Sequence, residues 1–258
     1  GATVVFADID PVTFNLDPAA VADAITAQTK AIIPVHLFGQ CAEMDAIGQL
    51  ASEHNLAVIE DAAQAIGAKF NQQPAGSMGQ TGCFSFYPTK NLGGCGDAGM
   101  ITTQDEQLAR RMRDLRNHGT EPRYYHNHVG VNSRLDSMQA AALRVKLPHL
   151  PGWTDARRAN AQRYADLFSQ TKLHEHLRLP SEAEQQHHVW NQYTIRVPGG
   201  QRDALRAHLR EANIGSEIYY PVPMHQQKCF QGIAWQAEKL LETDKAAEKV
   251  ASQFGPDT

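Results

Sequence analysis

Long apolar runs are missing from this chain of 258 residues. No stretch approaches the ~18 residues that a bilayer-spanning helix requires, so nothing in it reads as a membrane segment. Cysteine is scarce: Cys41, Cys83, Cys95 and Cys229 lie far apart, and none forms a Cys-x-x-Cys pair. That pattern excludes a disulfide framework and a zinc clip and reads as reduced thiols of a cytoplasmic protein. An excess of charge of one sign is missing too. Lys and Arg number 24 against 28 Asp and Glu, a net charge of -4 with no long run of either sign, which removes the electrostatic footprint of a generic DNA or RNA binder. The first residues carry no basic segment followed by a cleavage site. They open instead on Thr3-Val4-Val5-Phe6-Ala7, a β-prone apolar run of the kind buried on both faces in parallel sheets. Domains seldom begin in mid-core, and a segment upstream of this run is expected.

What is present is an ordinary globular composition, 42% hydrophobic and 20% charged, which excludes intrinsic disorder as the main character. The first half alternates strand and helix signals. Asp17 caps a helix with Pro18 at its first position, expected to run to about Gln28. Strands are expected at 31–35 and 57–59, the second ending in Glu60-Asp61. Between them a helix over 44–54 carries Met44, Ile47 and Leu50 on one stripe. Further strands are expected at 82–86 and 100–103. This rhythm predicts an α/β fold, a mostly parallel sheet with flanking helices. From Gln104 the texture turns helical: Leu108, Met112 and Leu115 share a face, 136–147 is rich in Ala, Leu and Met, and Pro151 opens a long helix to about Phe168. The tail reads as a smaller α+β unit, with strands at 190–197 and 216–219, a helix over 202–211 and a Glu/Lys-rich helix after Glu238. A soft boundary near residue 150 divides a large domain, 1–150, from a linking helix and small domain, 151–258.

One motif misleads. Gly94-Cys95-Gly96-Asp97-Ala98-Gly99 matches the dinucleotide fingerprint GxGxxG, and Asp114 lies 20 residues after Gly94. The mechanism needs a strand before the glycines and a helix after them, so that the helix N-terminus meets a pyrophosphate. Here a lysine-bearing loop precedes and the β-prone Met100–Thr103 follows. The context is inverted, and the dinucleotide reading fails.

Two segments carry chemistry. In Ile59–Gly67 a buried strand delivers the acidic pair Glu60-Asp61 at its C-terminal end, where open α/β sheets bind ligands. In Phe84–Gly94, 29 residues beyond Asp61, Ser85 and Lys90 share the turn after a strand, beside a glycine-rich loop. Either charge alone reads as a helix cap or a solvated lysine. Together they match what pyridoxal phosphate requires. A lysine amine forms a Schiff base with the cofactor aldehyde, which burial favours by favouring the neutral amine. An aspartate opposite the pyridine nitrogen keeps it protonated, so the ring accepts a carbanion's electrons. Hydroxyl and backbone N–H donors near Ser85 suit a phosphate.

The segments VHLFGQ (35–40), EDAAQAIGA (60–68), FSFYPTKNLGGCGDAGM (84–100), GVNSRLDSMQAA (130–141) and YYPVPMH (219–225) resemble the DegT/StrS-type sugar aminotransferases, fold-type-I enzymes dependent on pyridoxal phosphate. The resemblance runs through nearly the whole chain in order. It implies a fold-type-I large domain and a smaller α+β C-terminal domain. It makes Lys90 the lysine that bears the cofactor and shuttles the proton, Asp61 the partner of the pyridine nitrogen, Gln64 the neighbour of the phenolic oxygen and Ser85 a phosphate ligand. Asn132 corresponds to the asparagine that reaches the phosphate held by a neighbouring subunit, which implies a homodimer with a shared site. Arg134 lies in the same loop, His225 resembles the histidine that faces the sugar, and His36 is expected near the cofactor and substrate.

The implied reaction moves an amino group, by analogy from glutamate, to a keto sugar on a nucleoside diphosphate, without nucleic acid or membrane partners. Relatives that replace the lysine by histidine are dehydratases, and Lys90 favours transamination. A dehydratase and a non-catalytic sugar-nucleotide-binding or regulatory relative stay as alternatives. The family carries a further N-terminal portion with a phosphate loop that nothing here matches, and its closing segment runs past Phe254–Thr258, so the chain is expected to be a piece of the enzyme.

Twelve histidines invite a metal reading. The pairs His126/His128 and His174/His176 and the doublet His187-His188 lack a third ligand nearby in sequence, and no metal is expected. Tyr124-Tyr125 are expected at the mouth of the site or a subunit seam. The apolar face of 136–147 is assigned to core or dimer packing.

Overall fold

The computed structural model describes residues 1–231 and 240–253. Helix α1 (Pro18–Ala24) starts where Asp17 accepts a hydrogen bond from the Ala19 N–H and stops at Ile25, which is extended, so it ends short of Gln28. Strand β1 (Ala31–Ile32), helix α2 (Met44–Glu53) and strand β2 (Ala57–Asp61) follow. Strands β3 (Lys69–Phe70) and β4 (Gln73–Pro74) form a short hairpin; β5 (Thr81–Ser85) and β6 (Gly99–Thr102) flank the lysine loop. The central sheet has the order β1-β2-β5-β6, with β1, β2 and β5 parallel and β6 antiparallel. It is a mixed sheet with flanking helices; the crossover from β1 to β2 carries α2, and the one from β2 to β5 carries the β3–β4 hairpin in place of a helix.

Residues alternate across this sheet. Val58 and Glu60 are buried, whereas Ile59 and Asp61 are half-buried. The buried face packs on Met44, Ile47 and Ala51 of α2, with Ile32, Val58 and Phe70 in the same cluster. Ile47 is fully enclosed, which contributes about 2–3 kcal/mol. Pro34 interrupts the ladder after Ile32, and Val35 rejoins it through one parallel bridge to Asp61.

Helices α3 (Glu106–Arg116), α4 (Ser137–Lys146) and α5 (Leu150–Gln170) carry the chain onward. Asp105 and Asp136 cap α3 and α4. Phe86 and Leu92 of the lysine loop pack on Leu143 of α4 and Leu150 of α5, so the loop is seated on the helical layer. Strand β7 (Gln186–His187) adds to the β3–β4 hairpin. Strand β8 (Thr194–Arg196) precedes helix α6 (Arg202–Glu211), helix α7 (Leu241–Lys249) and strand β9 (Val250–Gln253), which pairs antiparallel with β8. Ala161 of α5 with Tyr193, Ile195 and Val197 forms a separate core cluster.

Three expectations are corrected. Residues 3–7 belong to no strand, and Val4 and Val5 are exposed at 38% and 45%; among the described residues no strand lies hydrogen-bonded beside them. The strand expected over 190–197 shrinks to 194–196, because backbone groups before it bond to a loop: Val189 donates to Gly39 and Gln192 to Phe38. Residues 216–219 form no strand. Glu238 and residues 254–258 lie outside the described residues.

Candidate active site

Asp61 ends β2. It is the register partner of Cys83 on parallel β5, so Asp61, Cys83 and Ser85 stand on one face of the sheet. Its carboxylate accepts the Ala63 N–H at 3.1 Å, a local turn that aims it beyond the strand end. Ser85 ends β5, and its Oγ accepts the Tyr87 N–H at 3.3 Å, leaving the hydroxyl proton to donate elsewhere.

The turn after Phe86 holds Lys90. The Lys90 N–H donates to Tyr87 and the Gly94 N–H to Phe86. A Cβ on Gly93 would lie 2.2 Å from the Pro88 carbonyl oxygen, so only glycine permits this tight a winding. Asn91 is buried and bonded at both ends of its amide. Partial burial lowers the pKa of the Lys90 amine below the ordinary lysine value, while the Asp61 carboxylate pulls it back up. The two groups are therefore electrostatically coupled, with burial the larger effect on the amine.

Gln64 is buried between the strand ends. Its Oε1 accepts the Phe38 N–H at 2.7 Å, and its Nε2 donates to Gln192 Oε1 at 3.3 Å and to the Tyr220 hydroxyl at 3.2 Å. The Phe38 donor fixes which way the amide points. Burial, and next the Asp61 charge, raise the Tyr220 pKa. Phe38, Trp190 and Tyr220 all have φ near +50° (58°, 46° and 55°), a conformation bulky residues seldom adopt and one that clusters at functional sites.

The other expected residues fall in three places. His36 is a correction. Val35 bridges Asp61, so His36, one residue on, points to the opposite face with Glu60. It is fully buried; Nε2 lies 2.9 Å from Glu60 Oε2, and Nδ1 accepts the Ala42 N–H at 3.1 Å. Neither nitrogen nor any exposed surface is left for a substrate. Asn132 and Arg134 lie exposed on the loop between α3 and α4, and Arg134 donates to Asn117 Oδ1 at 3.0 Å. Arg134 lines a cleft of about 720 Å³ with Arg113, Arg116 and Arg123, opposed by Asp114 and Glu121. Among the described residues neither is hydrogen-bonded to the Lys90–Asp61 group. His225 pairs with Asp244 of α7 at 2.9 Å and meets Phe6 edge to face. From its segment Tyr220, not His225, touches Gln64. Among the described residues no group of His, Cys, Asp and Glu is arranged to hold a metal, and no helix is long and apolar enough to cross a membrane.

Tyr220, Gln192 and Asn91 were not singled out by sequence reasoning. Tyr220 stood inside a quoted motif, but nothing in that motif distinguishes it from Tyr219. Gln192 meets Gln64 across 128 residues, beyond any local pattern.

The residues present fit pyridoxal phosphate. A partly desolvated amine, a carboxylate coupled to it, a buried amide and a free hydroxyl donor converge at the C-terminal ends of adjacent strands, where the fold places ligands.

Comparison with known proteins agrees. The model of the DegT/DnrJ/EryC1/StrS aminotransferase family matches residues 1–253. A pleiotropic regulatory protein of Geobacillus stearothermophilus is 51% identical over 98% of this chain and 67% of its own length. UDP-N-acetyl-3-dehydro-alpha-D-glucosamine 3-aminotransferase of Acidithiobacillus ferrooxidans is 50% identical over 89% of this chain and 61% of its own. The crystal structure of S. venezuelae DesV in complex with a ketimine intermediate superposes with a TM-score of 0.92 at 41% identity, covering 98% of this chain and 67% of that one. The chain thus spans about two thirds of the length of the relatives it matches, with the fold of the fold-type-I aminotransferases. It belongs to the DegT/DnrJ/EryC1/StrS aminotransferase family.

Proposed function

We propose that the protein transfers an amino group, with glutamate as donor, to a keto sugar carried on a nucleoside diphosphate, and that Lys90 bears its pyridoxal phosphate. The observation that carries this reading is the placement of Asp61 at the end of β2, on the face it shares with Ser85 of adjacent β5, and of Lys90 in the turn that follows β5. When bound, the cofactor supplies the electron sink that lets a carbon–nitrogen bond exchange between amine and carbonyl carbon.

The chain's own residues do the rest. Lys90 in its neutral form is the nucleophile and then the base that holds and returns the proton at the reacting carbon. Asp61 keeps a proton on the pyridine nitrogen by charge. Ser85 donates its hydroxyl to the phosphate. Gln64, anchored on Phe38 and Tyr220, sits beside the phenolic oxygen and closes the site against water. Asn132 serves the phosphate of a second copy, and Arg134 and His225 contact substrate. The homodimer is supported by the exposure of Tyr124 (77%), Val129 (99%) and Met138 (81%) along that loop and α4. The division into a cofactor domain, 1–150, and a small domain, 151–258, and a cytoplasmic location, belong to the same reading.

The 3-aminotransferase relative makes a UDP-linked 3-keto sugar the first substrate to try. Incubating the full-length protein with that sugar, glutamate and pyridoxal phosphate is expected to yield the 3-amino sugar and 2-oxoglutarate in equal amounts. A deoxygenated, nitrogen-free sugar product would make it a dehydratase. A regulatory role is favoured by the name of the relative at 51% identity; the intact Lys90, Asp61 and Gln64 weigh against it, and absence of turnover on any keto sugar nucleotide would favour it.

A further inference from the structure

The residue after the reactive lysine is held by a segment 98–100 residues further along the chain. Asn91 is buried, and both functions of its amide are spent on residues 189–191: Nδ2 donates to the Val189 carbonyl at 3.0 Å, and Oδ1 accepts from Asn191 Nδ2 at 2.8 Å. The orientation is determined by chemistry. A carbonyl accepts only, so Nδ2 must face Val189, and Oδ1 is then left to meet the amide nitrogen of Asn191. Asn191 is itself buried at 9% exposure.

The segment that carries Asn191 is fastened on both sides. Val189 donates to the Gly39 carbonyl at 2.9 Å and Gln192 to that of Phe38 at 3.3 Å. Gly39 makes the close approach possible, since a Cβ there would stand 2.9 Å from the Asn191 nitrogen. From the other side Arg157 of α5 donates to the carbonyls of Trp190 and Asn191. The next residue, Gln192, accepts from Gln64. One irregular segment therefore touches both the neighbour of Lys90 and the Gln64 amide.

We propose that Asn191 is a positioning residue for Lys90, acting through the side chain of Asn91. The inference rests on Lys90 being the cofactor-bearing residue. A pair of amides that served the fold alone would have no effect on the amine. A pair that seats the turn keeps the amine partly buried, and loosening it returns the amine to water.

The test reads the amine without the cofactor. The full chain is trace-labelled with acetic anhydride across pH, and the midpoint for Lys90 is read by peptide mass mapping in the unaltered chain, Asn191→Leu, Asn91→Leu and the double variant. Each single variant is expected to move the midpoint up toward ordinary lysine by about one unit, a roughly tenfold drop in the reactive fraction below the midpoint; the double variant should add nothing. An unmoved midpoint in a folded Asn191→Leu chain overturns the proposal, as does a shift that adds to that of Asn91→Leu. Should Asn191→Leu fail to fold, Asn191→Ser takes its place with the same expectation. In parallel, borohydride trapping of pyridoxal phosphate on the full-length protein separates the two ideas. A shifted midpoint with no cofactor trapped leaves this positioning standing and sinks the function proposed above, and a trapped cofactor with an unmoved midpoint does the reverse.

Discussion

Nε2 of His36 lies 2.9 Å from Oε2 of Glu60, and neither side chain meets solvent. The Glu60 carboxylate also accepts the N–H groups of Gly76, Met78 and Gly79 at 2.6–2.7 Å. Because His36 Nδ1 accepts from Ala42, Nε2 carries the proton that it gives to Glu60. The pair ties β2 to the turn that covers it, directly behind the strand end that presents Asp61 on the other face.

Glu60→Gln should therefore destabilise the chain by about 2–4 kcal/mol, because an amide nitrogen would face backbone donors in a closed site. Burial pushes the Glu60 carboxyl up, but hydrogen bonds from His36, Gly79 and Gly76 together outweigh it and hold its pKa below the ordinary value. Its contribution is thus present above the usual carboxylate range and is lost as pH falls through the lowered value. Urea midpoints at neutral and acid pH check both parts. Equal midpoints for the variant and the unaltered chain at neutral pH would contradict the account.

Asp61→Asn should act on Lys90 in the direction opposite to Asn191→Leu. The carboxylate raises the lysine pKa against burial, so its removal lets burial lower it further, and the labelling midpoint should fall. Turnover of the sugar nucleotide should drop on the order of a hundredfold as the pyridine nitrogen loses its counter-charge. A midpoint that rises or stays would place Asp61 elsewhere.

His188 is buried, stacked on Trp190 at 3.9 Å, and accepts the Trp190 N–H at 3.0 Å. Burial pushes its pKa down to about 3. The unfolded chain then binds a proton at this histidine between about pH 3 and 6.5 that the folded chain does not, so folding stability rises with pH across that window. His188→Asn keeps an acceptor near Nδ1 but does not titrate. The difference in urea midpoint between about pH 7 and pH 5 should shrink in the variant, and an undiminished difference would show that His188 does not titrate on unfolding.

Gly93→Ala should destabilise by about 2–3 kcal/mol and displace the lysine turn, since its Cβ meets the Pro88 backbone. Gly152→Ala is the control: nothing lies within 4 Å of a Cβ there, and in a helix the change should be neutral or stabilising by up to about 1 kcal/mol. Thermal melts of the two variants side by side check the contrast.

These residues also show how far the sequence could be read. Asp61 at a strand end and Lys90 in a glycine-rich turn were legible because strand, acid, turn and lysine are local patterns. The role of Glu60 was not, since alternation decides which member of an acidic pair faces the site, and Pro34 hides the register that fixes it. His36 was misassigned for the same reason: a one-residue offset turns a side chain from the site to the core. Asn91 and Asn191 meet across 100 residues, and residues 190–192 were read as strand because Tyr193, Ile195 and Val197 just beyond them alternate with polar residues, while their segment's hydrogen bonds go to loop 37–40. The helix start at Asp17 was legible because a cap and a proline at the first position are local signals, whereas its end, at Ala24 and not near Gln28, was not.

The central claim is that Lys90 bears the cofactor. Pyridoxal phosphate is added to the purified full-length protein and to this chain, the visible spectrum is recorded, and borohydride reduction is followed by peptide mass mapping. The account predicts an absorbance that is lost on reduction and a cofactor mass fixed on Lys90, absent in Lys90→Ala. A cofactor mass on another lysine, or none on the full-length protein, would contradict it.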